Sequence, residues 1–244
     1  MPKYIEEIPL GKEHIMSIVS GITQGRLLFR DYMREENFPT DNGSQMSIWN
    51  YMNRAIRDKL SAERFQTVIM QRGIWKFLGI YDKNTRYLYT LMRKENLKIL
   101  RQNPISKKYH YLNVLSKIND GLSQKYDVVE EQMAMFPNLM YDDNGMETLK
   151  KILSSLTENV DGEIKRYVLI TFSTFRDQVV ELKGIVTALG LDYYKEENWN
   201  SISIPSYSVL DDEWTDSDLE NSEILLHRKP NLKRVKKKTT KEVK

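Results

Sequence analysis

The chain has 244 residues, of which 40% are hydrophobic and 29% are charged, and its formal net charge is +3. This length fits one large domain or two small ones, and the composition is that of a globular protein. The absence of cysteine excludes disulfides, thiolate nucleophiles and metal sites with cysteine ligands. No apolar segment suits a signal peptide or a membrane span, so we expect a cytoplasmic protein without a membrane partner.

Two amphipathic helices are predicted at the start of the chain. Apolar residues recur at helical spacing from Gly11 to about Asn37. Gly21 and Gly25 indicate a bend or break within this helix. A second helix is predicted from Ser44 to Leu60, because a turn sequence precedes it and its apolar residues again follow a period of 3.6.

The stretch from Phe65 to Arg101 carries the strongest hydrophobic signal in the chain. Its three short apolar runs predict a three-stranded antiparallel meander, followed by a helix that ends near Gln102. The predicted strands are Phe65 to Arg72, Trp75 to Tyr81 and Arg86 to Met92. The second strand is apolar on both faces, so we expect it to be central and covered on both sides.

The rest of the chain predicts three helices and a second sheet unit. The helices cover residues 109–118, 123–136 and 146–156, and a continuous apolar run predicts a buried strand over 167–172. Apolar residues at helical spacing favour a helix over 175–189, which a short strand over 191–194 would follow. This β-α-β unit joins the meander, so the predicted fold class is α+β, with a mostly antiparallel sheet and helices packed around it.

Charge is distributed unevenly after residue 205. Residues 211–223 carry seven acids and no Lys or Arg, whereas residues 227–244 carry nine Lys or Arg and one Glu. We predict a single globular domain over 1–205, an acidic linker over 206–226, and a basic tail over 227–244 that is disordered on its own.

The basic tail is the strongest local signal for a function. Closely spaced cations neutralise phosphates and release counterions, which gives salt-sensitive binding to nucleic acid without sequence preference. Basic residues also alternate with Trp75, Tyr87 and Tyr89 along the meander, as on sheets that stack bases and contact phosphates. If these aromatic residues pack in the core, the cations line only a solvated edge. The predicted nucleic-acid-binding residues are Lys233, Arg234, Lys236, Lys237, Lys238, Arg72, Lys76, Arg86 and Arg93.

Two other functions remain open. A metal-dependent nuclease needs carboxylates and a lysine around a divalent cation, and the candidate is Glu163-Ile164-Lys165, with Asp142 and Asp143 upstream. The third hypothesis is a protein–protein module that inhibits or regulates another protein. The chain has neither a glycine-rich phosphate-binding motif nor histidines at zinc-ligand spacing, so we expect no cofactor and no resident metal.

Several short motifs follow one another along the chain: Thr40-Asp41-Asn42-Gly43, Ile48-Trp49, Arg72-Gly73-Ile74-Trp75, Ile80-Tyr81-Asp82, Leu88-Tyr89-Thr90-Leu91-Met92 and His110-Tyr111-Leu112. This series resembles an uncharacterised family found in Gram-positive bacteria, their phages and mobile elements, over roughly residues 10 to 200. The family has no assigned activity, so the resemblance implies no catalytic residue. It implies a bacterial or phage cytoplasmic setting, such as phage–host conflict.

The sequence therefore favours a non-enzymatic cytoplasmic binding protein that engages nucleic acid or a nucleic-acid-processing machine. The observation that discriminates most is the burial of Trp75, Tyr87 and Tyr89. Buried rings would exclude base stacking on the sheet face, and exposed rings would support it.

Overall fold

A computed structural model of the chain describes residues 4–102, 108–122 and 141–203. These residues belong to one compact unit, Met1–Pro205. The helix predicted over 123–136, the acidic linker and the basic tail lie outside the described residues, as does the predicted disorder of the tail.

The described part of the chain contains six α-helices, one short 3₁₀ helix and six strands. The helices are α1 (Lys12–Glu36), α2 (Ser44–Lys59), α3 (Lys94–Gln102), α4 (Tyr111–Ser116), α5 (Asp143–Thr157) and α6 (Asn200–Ser203). The strands are β1 (Phe65–Arg72), β2 (Trp75–Asp82), β3 (Tyr87–Arg93), β4 (Arg166–Phe175), β5 (Gln178–Thr187) and β6 (Tyr193–Asn198). The 3₁₀ helix, Lys117–Asn119, continues α4.

The six strands form one sheet, and their order in space is their order along the chain. β1, β2 and β3 form an antiparallel meander, and β4, β5 and β6 form a second one. β3 and β4 run parallel at the centre, because the connection between them is a long crossover through α3, α4 and α5. The prediction of an α+β fold with a mostly antiparallel sheet is confirmed, and the three strands of the first meander lie within one residue of their predicted bounds.

The helix predicted over 175–189 is wrong, because these residues form a turn and a strand. Arg176 and Asp177 make a two-residue turn with φ angles of 44° and 70°, and β5 then returns antiparallel to β4. Leu182 packs on one face of the sheet and Ile185 on the other. The apolar positions that suggested one helical stripe are therefore two alternating strand faces, rich in β-branched residues. The predicted β-α-β unit is a β-meander.

Helices cover both faces of the sheet. On one face, α1 and α2 pack over a core that includes Ile80 and Tyr89. On the other face, α3, α4 and α5 pack over a core that includes Leu88 and Leu169. Neighbouring strand residues enter different cores, as the two-residue period of a strand requires. β2 is buried on both faces from residue 77 to residue 82, as its composition predicts.

The glycines of α1 lie where this helix crosses α2. A Cβ atom added at Gly25 would lie 2.4 Å from the Cα atom of Met52, and one at Gly21 would lie 2.7 Å from the Cα atom of Ile56. No break occurs at these glycines, since α1 is continuous through both. The glycines instead let the two helix backbones approach each other closely.

Replacement of Gly25 by alanine should destabilise the protein by about 1–3 kcal/mol, because the added methyl group would force α1 and α2 apart. The direction of the effect is informative, because a glycine-to-alanine change at an uncrowded position inside a helix stabilises the protein by about 1 kcal/mol. Urea denaturation followed by circular dichroism measures the free energy of unfolding. Ser20→Ala, at an exposed position of α1, is the control. A stabilising Gly25→Ala would contradict the close crossing.

Candidate functional site

The sheet divides between β2 and β3. Their antiparallel pairing begins at Asp82↔Tyr87 and extends only to Gly79↔Thr90. Beyond this point residues 75–78 stay paired with β1, and residues 91–93 stay paired with β4. The backbone edges of these two segments that face each other have no strand partner in the described sheet. We call this opening, between residues 75–78 and 91–93, the fork.

Gly79 stands at the apex of the fork. A Cβ atom at this position would lie 2.8 Å from Cε of Met70 and 3.0 Å from Cγ2 of Val68. Side chains of β1 therefore lie directly against the glycine where β2 parts from β3. A glycine inside a strand commonly marks a close approach of other atoms, and this description fits Gly79.

A cavity of about 470 Å³ occupies the fork. Phe77 and Leu78 line it from β2, and Leu91 and Met92 line it from β3. Because consecutive strand residues point to opposite faces, the cavity lies between the strands and not on one face of the sheet. Its other lining residues are Trp49, Asn53, Arg72, Trp75, Asn96, Ile99, Leu100, His110 and Tyr111. The volume falls within the range of about 300–1,000 Å³ typical of small-ligand sites.

Aromatic rings form much of the cavity wall. Trp49 of α2 meets Trp75 edge-on, with ring centroids 6.2 Å apart, and also contacts Phe172 at 5.8 Å. Phe77 stacks on Tyr111 at 4.1 Å. Burial raises the pKa of Tyr111 above its ordinary value, so this hydroxyl stays neutral. The wall therefore offers ring edges and faces without a negative charge.

Polar groups lie around this aromatic wall. The exposed side chain of Arg72 donates from Nε to the backbone oxygen of Tyr109 at 3.4 Å. His110 caps α4 by accepting at Nδ1 from the backbone N–H of Leu112 at 3.3 Å, which leaves Nε2 as the donor of the neutral ring. Within the described residues, the amides of Asn53 and Asn96 make no hydrogen bond and are open to a ligand.

A second cavity, of about 390 Å³, adjoins the first along α2. The two share Asn53, Phe77 and Leu78, and we call them together the groove. The residues that line only the second cavity are Asn50, Arg54, Arg57, Thr67, Ile69 and Lys76. None of the residues that line the groove, in the part of the chain that the structure describes, is an aspartate or a glutamate.

Four cations surround the groove. Arg54 and Arg57 extend from α2, while Arg72 and Lys76 come from the β1–β2 hairpin. Asp58 lies 3.7 Å from Arg54 and 3.4 Å from Arg57. These are exposed pairs, which contribute little and are readily exchanged for other anions. The groove is therefore a basic surface with an apolar floor.

Two of the predicted site residues line the groove, Arg72 at the fork and Lys76 at the second cavity. Arg86 lies at the other end of the β2–β3 hairpin, where its Nη1 donates to Glu163 at 3.1 Å. Arg93 donates to Gln45 at 3.1 Å, and burial, with a smaller contribution from the charge of Arg26, lowers its pKa. The predicted cations of the basic tail, Lys233, Arg234, Lys236, Lys237 and Lys238, lie outside the described residues.

Base stacking on the sheet face is excluded for two of the three aromatic residues. Tyr89 is completely buried and Tyr87 packs half-buried against the same core, because α1 and α2 cover this face. Trp75 is half-buried at the end of β2 and lines the fork. The aromatic surface is therefore at the split end of the sheet and not on its face.

Arg54 and Arg57 were not predicted as site residues. Their only signal in the sequence is their position on the polar face of α2, and most such faces are simply solvated. The packing of α2 beside the β1–β2 hairpin, which turns this face into one wall of the groove, involves contacts between distant parts of the chain.

The carboxylates of the nuclease hypothesis have other contacts. Glu163 is exposed and pairs with Arg86. Asp142 caps α5, where its Oδ1 accepts from the backbone N–H of Gly145 at 2.8 Å. Within the described residues, no three His, Asp or Glu side chains lie close enough together to hold a metal ion. The geometry thus gives this hypothesis no support.

A buried ion pair closes the end of the β2–β3 hairpin opposite the fork. Asp82 is fully buried and accepts from Nη2 of Arg64 at 2.8 Å and from the backbone N–H of Asn84 at 3.0 Å. Burial alone would raise the pKa of Asp82, but hydrogen bonds from Arg64, Asn84 and Thr85 outweigh it and hold the pKa below its ordinary value. This pair fixes the hairpin from which the fork opens.

Asp82→Asn should destabilise the protein by about 1–3 kcal/mol, because it removes the charge that satisfies Arg64 in a largely buried site. Because the pKa of Asp82 is lower in the folded state, its ionised carboxylate stabilises the protein at pH values above its unfolded pKa, near 3.9. This contribution is lost as the pH falls through the folded pKa. Urea denaturation at a series of pH values from about 7 to 3 measures the difference in the free energy of unfolding between wild type and variant, here called the gap. The gap should be constant at neutral pH and shrink below about pH 4. A gap that widens on acidification would contradict the assignment.

No helix among the described residues is long and apolar enough to cross a membrane.

Comparisons with known proteins bear on the identity of the chain. No curated protein and no solved structure is significantly similar to the chain. A family match covers residues 7–244, and it confirms the resemblance to an uncharacterised family. The chain belongs to the Family of unknown function (DUF5986).

Proposed function

We propose that this chain is a non-enzymatic, cytoplasmic nucleic-acid-binding protein and that it holds a single strand in the groove. The observation that carries the proposal is the set of four cations, Arg54, Arg57, Arg72 and Lys76, around two adjoining cavities that no described carboxylate lines. A chain of phosphates provides anions that can replace the exposed Asp58 beside Arg54 and Arg57 and can neutralise the other cations.

The cations lie on both walls of the groove. Arg54 and Arg57 are three residues apart on α2, so they share one face of that helix, and Lys76 faces them from β2. Like charges that face each other across a solvated groove repel until a counterion lies between them. A phosphodiester backbone that passes along the groove would relieve this repulsion at successive positions.

The floor of the groove favours a single strand over a duplex. Trp49 and Trp75 lie at the mouth of the fork together with apolar side chains. Bases in a duplex are stacked and paired, and cannot reach such a surface. Bases in a single strand can, and aromatic side chains commonly bind them by stacking without sequence preference.

The basic tail supports the proposal from the sequence alone. Its nine cations within residues 227–244 would add a sequence-independent contact to the one made by the groove. We propose that this binding takes place in bacterial or phage cytoplasm, in a process such as phage–host conflict, as the family resemblance implies.

The double variant Arg54→Ala, Lys76→Ala should bind a labelled 12-nucleotide single strand more weakly than the wild type, because two phosphate contacts are lost. Fluorescence anisotropy over a series of salt concentrations measures both affinity and its salt dependence. The slope of log affinity against log salt should be shallower by about 1.4, or about 0.7 for each contact to a single strand.

The matched control is Lys12→Ala, Lys165→Ala, which removes two exposed cations that do not line the groove. Its slope should stay at the wild-type value. Equal losses in the two double variants would show that only net charge matters, and would contradict a binding site in the groove.

Deletion of residues 227–244 should lower the affinity for single strands further and make the slope shallower again, because nine cations are removed. The same anisotropy assay applies. If the groove contributes as proposed, Arg54→Ala, Lys76→Ala should weaken binding in the truncated chain too. Truncation without any change in affinity would exclude the tail as a contact.

A further inference from the structure

We propose that the fork is a nucleobase pocket, which takes one base out of the strand that lies in the groove. This inference rests on the proposed function and adds to it the chemistry that the site recognises. It commits to a purine, adenine in the first place, as the occupant.

The first argument is the backbone at the fork. Residues 77–78 and 91–92 face each other across the cavity without pairing. If the register of the hairpin continued, Leu78 would pair with Leu91 and Phe77 with Met92, and the cavity would be closed. Unpaired strand edges present N–H donors and C=O acceptors that lie near the plane of the sheet. A flat heterocycle with donors and acceptors around its edge fits between two such edges.

The second argument is the composition of the walls. Trp49 and Trp75 stand at the mouth with their rings at 86° to each other, so one ring presents a face where the other presents an edge. Phe77 and Tyr111, which also line the cavity, form a stacked pair. Flat aromatic rings bind to such walls by face or edge contacts, and bases extruded from a strand are commonly held in this way.

The third argument is the pair of amides. Asn53 on α2 and Asn96 on α3 line the cavity and have no hydrogen-bond partner among the described residues. An asparagine amide offers one donor and one acceptor side by side, which matches the N6 and N7 atoms of adenine. Arg72 lies at the same cavity, and its guanidinium suits the phosphate of the same nucleotide.

The fourth argument concerns where the base comes from. The fork and the cavity with Arg54, Arg57 and Lys76 share three lining residues, so a strand in the groove passes the mouth of the fork. A free nucleotide presents the same base chemistry but would make no use of this continuity. The base of a strand is therefore the occupant that accounts for both cavities.

Two 12-nucleotide probes separate base recognition from phosphate contact in the full-length protein. One is oligo(dA), and the other is an abasic strand with the same number of phosphates. Anisotropy titrations at one salt concentration should show oligo(dA) binding roughly 5-fold tighter or more, as expected when one base is stacked in a pocket. Equal affinities for the two probes would overturn the nucleobase pocket and leave the proposed function intact. No binding of either probe would overturn both.

Asn96→Ala tests the pocket without risk to the fold, because Asn96 is exposed on α3. The affinity for oligo(dA) should fall roughly 5-fold or more, as for a lost bidentate contact to adenine, and the affinity for the abasic strand should not change. Trp75→Leu should have the same selective effect. Asn84→Ala, at an exposed position in the β2–β3 turn, is the matched control and should change neither. Equal losses for both probes would contradict base recognition.

Adenosine monophosphate distinguishes the two sources of the base. As a competitor at high concentration, it should lower the affinity for oligo(dA) to that for the abasic strand measured with the same competitor, because it fills the pocket and leaves Arg54, Arg57 and Lys76 free. Tighter binding of the mononucleotide than of oligo(dA) would support the pocket but overturn the strand as its natural occupant. A competitor without effect on either probe would contradict the pocket.

Discussion

The parallel pairing of β3 with β4 is the constraint on which the site depends. It runs over the whole length of β3, from Tyr87↔Arg166 to Arg93↔Phe172, and it holds β3 in the centre of the sheet. β2 is fully paired with β1 over its own length. Because residues 75–78 stay paired with β1 and residues 91–93 with β4, β2 and β3 part beyond Gly79↔Thr90, and the fork lies there.

The position of α2 determines what the fork can bind. Gly21 and Gly25 allow α1 to lie against the backbone of α2, which sets how closely the two helices pack over the sheet. α2 in turn places Trp49 against Trp75 and Phe172, and it aligns its arginines beside Lys76. A change at the helix crossing would therefore reach the groove, although no glycine of the crossing lines it.

The sequence predicts the elements well where one periodicity dominates. The first meander and the two long helices have their predicted bounds to within a few residues, since their apolar positions fit a single period. The prediction of a helix over 175–189 fails because this strand is buried on both faces. Leu182 enters the core on one face and Ile185 the core on the other, and their spacing also fits a helical stripe. The break predicted at Gly25 fails for another reason, because the role of this glycine depends on α2, which the local sequence does not describe.

The candidate site is predicted only in part, for the same physical reason. Arg72 and Lys76 stand out because they alternate with aromatic residues on a strand. Arg54 and Arg57 reach the groove only through packing between α2 and β2. Tyr89 has the same sequence context as Trp75, yet it is buried beneath the helices. Burial at the centre of a strand and exposure at its split end are properties of the assembled sheet.

Photo-crosslinking tests the central claim most directly, since it reports where a bound strand lies. A single strand that carries 5-iodouracil, mixed with the full-length protein and irradiated, is digested and mapped by mass spectrometry. A strand in the groove should crosslink to peptides that contain Trp49 or Trp75, and salt should suppress these crosslinks. Crosslinks confined to residues 227–244, or to faces away from the groove, would contradict the account.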